Sequence, residues 1–104
     1  MGFLRAKQLE GFIRILVSMN CSDPEFRGQE VDLYNSGLAS QLADEQKKLL
    51  RVTDTRDGKL VVRARGVEEE YVVETVKIGS KVLSSGEIVR LHRALCGIGI
   101  ELQA

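Results

Sequence analysis

The tripeptide Arg56-Asp57-Gly58, followed by Leu60, Val62 and Ala64 in alternation with Val61, Arg63 and Arg65, gives the middle of this chain one reading, a β-hairpin. Asp-Gly accepts the left-handed backbone of a tight turn, and the period-two pattern turns one face to a core and the other to water. The rest of the fold must be built around this hairpin. Tyr71 to Ile78, rich in β-branched and aromatic residues, reads as a third strand continuing an antiparallel meander. Its two faces, Val72, Glu74, Val76 and Ile78 against Tyr71, Val73, Thr75 and Lys77, both carry apolar groups. That pattern suits a sheet covered on both sides, by the first and last helices or by a second copy of the chain, so a homodimer is expected.

Upstream, Leu9, Phe12, Ile13 and Leu16 recur at helical spacing and predict a helix over about residues 3–19. Asp23 as N-cap and Pro24 at the first position start a second helix to about Tyr34, with an extended "QEVDLY" as the alternative. After the turn signal Asn35-Ser36-Gly37, the residues Leu38, Ala39, Leu42, Ala43, Leu49 and Leu50 predict a third helix through Leu50. Ser84 and Glu87 have capping-box spacing at the head of a fourth helix that Gly97 closes, and "IGIELQ" can add a short strand.

The expected class is therefore α+β: N-terminal helices, then a three-stranded antiparallel meander and a C-terminal helix. Length and composition agree with one domain over residues 1–104, since 43% of the chain is apolar and it holds a single proline. Three helices followed by a hairpin is a winged-helix-like order, with a glycine-containing turn before the third helix. That helix would offer Ser40, Gln41, Lys47, Lys48 and Arg51 outward, and the hairpin would be the wing. The letters "LASQLADEQKKLLRV" also resemble the Leu-Ala-x-x-Leu-Gly opening of bacterial repressor motifs, with Ala43 where glycine is usual. Asp44 and Glu45 depart from that pattern and would repel phosphates, and a continuous amphipathic helix explains the same residues.

Charge sharpens the functional reading. The chain is neutral overall, yet residues 47–65 carry seven basic and two acidic side chains, while residues 1–46 carry four basic and seven acidic. Gln41, Lys47, Lys48, Arg51, Arg56, Lys59, Arg63 and Arg65 are the candidate binding residues, an electrostatic footprint for the phosphates of nucleic acid. An acidic protein surface is the alternative partner, and the Glu68-Glu69-Glu70 run could match the same block within the fold. His92 and Cys96 stand four apart on the last helix, but no third ligand or orienting group is indicated. Gly97-Ile98-Gly99 lacks the third glycine of a dinucleotide loop. The expectation is a small non-enzymatic binding or regulatory protein without cofactor or metal. With no leader-like or spanning apolar run and two distant cysteines, it is expected to be cytoplasmic, with reduced thiols and no membrane association.

Overall fold

The computed structural model describes residues 3–35, 49–66 and 68–103. Within them lie nine strands and one helix: β1 (Phe3–Leu9), β2 (Phe12–Leu16), β3 (Glu30–Tyr34), β4 (Leu49–Arg56), β5 (Lys59–Ala64), β6 (Glu70–Val72), β7 (Thr75–Ile78), β8 (Lys81–Val82), α1 (Ser85–Leu95) and β9 (Gly99–Gln103). The strands form one sheet in the order β6-β5-β4-β9-β1-β2-β3-β7-β8. The pairing of β1 with β9 is parallel and every other pairing is antiparallel. The expected α+β, winged-helix-like class is thus overturned in favour of a mostly β protein.

The N-terminal segment is the first correction. Leu9 pairs with Phe12 across Glu10 and Gly11, and Gly11 has φ +84°, so the glycine is a hairpin turn and not a tolerated helix interior. The core set is Leu4, Ala6, Ile13, Ile15 and Val17, which has period two, whereas Leu9 and Leu16 on the supposed helical face are 36% and 56% exposed. Only Ile13 belongs to both patterns; the β-branched run and the glycine decide for the strand.

In the second expected helix, Asp23 caps only a single turn. Its side chain accepts from the Glu25 N–H at 3.0 Å and its carbonyl accepts from the Phe26 N–H at 3.1 Å. Gly28 at φ +69° turns the chain into β3, the extended alternative. The third expected helix cannot reach Leu50, because Leu49 and Leu50 open β4; residues 36–48, with Gln41, Lys47 and Lys48, lie outside the described residues.

The central hairpin is present, with Arg56 opposite Lys59 and both turn residues at positive φ, 52° for Asp57 and 75° for Gly58. The expected third strand is instead a bent ribbon. β6 pairs with β5, β7 pairs with β3, and only Val73 and Glu74 separate them. The Val73 N–H donates to the Leu60 carbonyl at 2.8 Å and the Glu74 N–H to the Tyr34 carbonyl at 2.9 Å, while the Asn35 side-chain amide donates to the Val72 carbonyl. The ribbon therefore ties the two ends of the sheet together and curls it. At the bend the inward parity shifts, from Tyr71 and Val73 to Val76. That shift accounts for inward apolar residues on both parities of the segment.

α1 begins at a complete capping box. Ser84 Oγ accepts from the Glu87 N–H at 3.3 Å and a Glu87 carboxylate oxygen accepts from the Ser84 N–H at 3.0 Å. The helix buries Ile88, Leu91, Ala94 and Leu95 against β4 and β5. They join the inward residues of the sheet in one apolar core with Val17, Cys21 and Phe26. Each fully buried aliphatic side chain there contributes about 1.5–3 kcal/mol. Arg90 of α1 binds Asp23 at 2.8 Å and also Glu25, and lies over Phe26 at 5.6 Å, which holds the 18–28 loop to the helix. Among the described residues no helix is long and apolar enough to cross a membrane.

Candidate anion-binding site

Alternation along β4 and β5 sorts the basic block. Leu50 and Val52 of β4 and Leu60, Val62 and Ala64 of β5 point into the core, so Arg51 and Arg63 must point out. They are direct cross-strand partners. Arg65 follows β5 and its N–H donates to the Leu49 carbonyl at 2.8 Å, which keeps it at the same end of the ribbon. Arg51, Arg63 and Arg65 line one open hollow of about 690 Å³ with Leu49, Thr53, Ala64, Gly66 and Glu68. Thr53 is the extra residue where the β4–β5 register shifts, and its hydroxyl donates to the Val61 carbonyl at 3.3 Å.

Two arginines directly opposite one another repel, a disfavoured arrangement in an antiparallel pair. Each finds partial relief to one side. Arg63 Nη2 lies 3.7 Å from a Glu70 carboxylate oxygen, and Arg51 makes a long 3.4 Å hydrogen bond to the Gly97 carbonyl. Neither Arg51 nor Arg65 has a carboxylate in ion-pairing range among the described residues. Three guanidinium groups facing one Glu68 leave the hollow with excess positive charge, and an anion seated between Arg51 and Arg63 would be held by paired donors.

Arg56 and Lys59 do not join this cluster. They sit at the far end of the hairpin, five residues along β4 from Arg51, about 16 Å at strand rise. Arg56 Nη2 is 3.0 Å from Glu70, so this one carboxylate holds both Arg56 and Arg63. The glutamate run thus matches part of the basic block from within the fold. Sequence reading also missed Arg5 and Lys7. Taken as helical, they in fact alternate with Leu4 and Ala6 on the outer face of β1, a period-two signal that was legible once Gly11 is read as a turn.

His92 and Cys96 are not brought together. Cys96 is the exposed C-cap of α1, while His92 Nε2 is buried without a hydrogen-bond partner, as is the Tyr71 hydroxyl. No hydrogen bond joins the pair among the described residues, and the other thiol, Cys21, is buried in the core. Among the described residues no group of three or more His, Cys, Asp or Glu side chains is placed to hold a metal ion. Comparison with protein-family models, with curated proteins and with solved structures finds no match to this chain.

Proposed function

We propose that this is a small, non-enzymatic binding protein that engages the phosphates of nucleic acid on the outer face of β4 and β5, with Arg51, Arg63 and Arg65 as the contact residues. The observation that carries the reading is the only partly relieved cross-strand arginine pair, Arg51 opposite Arg63, at the edge of a hollow that Arg65 also lines. Phosphate supplies the charge and the paired acceptors that guanidinium forks match. A phosphate backbone also passes such groups along at a regular spacing, whereas three arginines on a strand ribbon carry no base-reading element. Binding is therefore expected to be salt-sensitive and tolerant of sequence.

The test is fluorescence anisotropy with labelled mixed-sequence single-stranded and duplex DNA, at low and near-physiological salt, with sample mass followed by light scattering. Micromolar or tighter binding that weakens steeply with salt is the expected result. Arg63→Ser and Arg65→Ser should each lower affinity on all sequences and flatten the salt slope by about one unit per lost contact. Absence of binding at low salt would overturn the reading. The arginine ribbon would then be assigned to an acidic protein surface, for which Glu70, already seated on Arg56 and Arg63, is the internal precedent.

A further inference from the structure

Four large apolar side chains are exposed among the described residues, and three of them line two adjoining hollows: Leu9, Leu16 at 56% and Met19 at 70%. Leu9 and Leu16 line a hollow of about 400 Å³ with Arg5, Lys7 and Arg14. Leu16 and Met19 line a second hollow of about 500 Å³ that also contains Arg5. The two hollows share Arg5 and Leu16, so they form one surface on the outer face of β1 and β2 and the loop that follows. Met19 lies over Gly28, where a Cβ would stand 2.8 Å from its sulfur, so the absent side chain makes room for it.

Among the described residues, two cations of this surface stand without a close carboxylate, although Glu101 is the register neighbour of Arg5 on β9. Arg5 and Lys7 are exposed and have no carboxylate in ion-pairing range among the described residues, whereas Arg14 is already matched by Asp32 at 2.8 Å. Glu30 is the one carboxylate on the rim of the first hollow. Across β9, Glu101 pairs in register with both Leu49 and Arg5 and so separates this surface from the arginine ribbon of β4 and β5.

We propose that the outer face of β1 and β2 is a docking surface for an acidic, amphipathic segment of another protein, which seats apolar side chains beside Leu9, Leu16 and Met19 and presents carboxylates to Arg5 and Lys7. A second copy of the chain is the rival occupant, and light scattering that shows a dimer of the free chain through this face would overturn the proposal. An anionic bilayer is the other rival, which the vesicle titration separates. Methionine at the open end gives a contact that adapts to the shape of the entering side chain. This surface is independent of the phosphate reading, which rests on other strands.

Amide spectra of the ¹⁵N-labelled full chain test it, with three probes titrated separately: a short synthetic peptide of leucines spaced by glutamates, the same peptide with lysine in place of each glutamate, and phosphatidylserine vesicles. The acidic peptide is expected to shift the amides of Arg5, Lys7, Leu16 and Met19 in a saturable way and to leave those of Arg51 and Arg63 unmoved. The double variant Leu16→Ser, Met19→Ser should weaken that binding at least about tenfold. Arg5→Glu with Lys7→Glu, on exposed strand positions, should abolish it and provides the test if the first variant is misfolded. Equal response to the lysine peptide, no response to either peptide, or response to vesicles alone would each overturn the proposal.

Discussion

Arg14 and Asp32 face each other across β2 and β3 as a two-pronged ion pair, Nε to Oδ1 at 2.8 Å and Nη2 to Oδ2 at 3.1 Å. Asp32 is 5% exposed although it lies on the outer face, because Arg14 on one side and the paired strands on the other cover it. Arg14 also lies over the Phe12 ring at 5.5 Å, Phe12 stacks on Tyr34 at 4.7 Å, and Lys77 lies over Tyr34 at 5.2 Å. Cation, two rings and cation thus form one layered stack along neighbouring strands, with Asp32 holding its first member.

Removing Arg14 would strand a buried carboxylate, which costs more than removing the pair together. Arg14→Met is expected to lower the urea midpoint clearly, and Arg14→Met combined with Asp32→Leu to restore most of the loss. Equal midpoints for the single and double variants would show that Asp32 is solvated without its partner.

The hairpin turn gives a steric prediction. A Cβ on Gly58 would stand 2.6 Å from Ser85 Oγ and 2.7 Å from Ser85 Cβ, whereas one on Gly66, also at positive φ, would meet nothing within 4 Å. Gly66→Ala should cost only the left-handed backbone strain, about 1 kcal/mol. Gly58→Ala should cost ~1 kcal/mol or more beyond that, because the turn must also move off the start of α1. In a Ser85→Gly background the clashing atoms are gone and the two alanine variants should converge, as read by denaturant unfolding.

Glu87 sets a pH dependence. Its carboxylate is 2.6 Å from Lys81 Nζ and accepts from the Ser84 backbone, and these partners hold its pKa at about 2 against an ordinary 4.5. The Lys81 hydrogen bond is the larger cause and Ser84 the second. A depressed carboxyl stabilises the fold above its unfolded value, so this contribution is complete above 4.5 and fades as pH falls toward 2. Glu87→Gln should therefore narrow its gap to the unaltered protein across that window and show a shallower acid slope in thermal melts. Ser84→Ala, which removes the cap itself, should cost about 1 kcal/mol at neutral pH.

Local signals in this sequence were legible and long-range ones were not. The Asp57-Gly58 turn and the Ser84 to Glu87 capping box depend on a few adjacent residues, and both occur where their chemistry places them. Leu9, Phe12, Ile13 and Leu16 keep helical spacing while Ile13, Ile15 and Val17 keep period two, and the helical pattern wins on spacing until Gly11 is recognised as a turn. Nothing local marks the parallel pairing of Phe3–Lys7 with Gly99–Gln103, which joins the two ends of the chain and puts the last strand in the middle of the sheet. The arginine site shared that limit. Alternation put Arg63 and Arg65 on the outer face, but only the β4–β5 register puts Arg51 opposite Arg63, and only the pairing of β6 with β5 brings Glu70 to them.

Glu70 makes the phosphate reading quantitative. One carboxylate engages Arg56 at 3.0 Å and Arg63 at 3.7 Å, so a phosphate approaching the ribbon must compete with an anion already there. Glu70→Gln removes that competitor while keeping the size and hydrogen-bonding reach of the side chain. Both ion pairs are substantially exposed, so the loss in stability should stay below about 1 kcal/mol. Affinity for single-stranded DNA at low salt should rise about threefold or more, and the dependence of log affinity on log salt should steepen by roughly one unit as Arg63 becomes free for phosphate. Arg63→Ser in the Glu70→Gln background should cancel the gain. An affinity unchanged by Glu70→Gln in a protein that still binds DNA would mean that Arg63 makes no phosphate contact, and would move the contact to Arg51 and Arg65 alone.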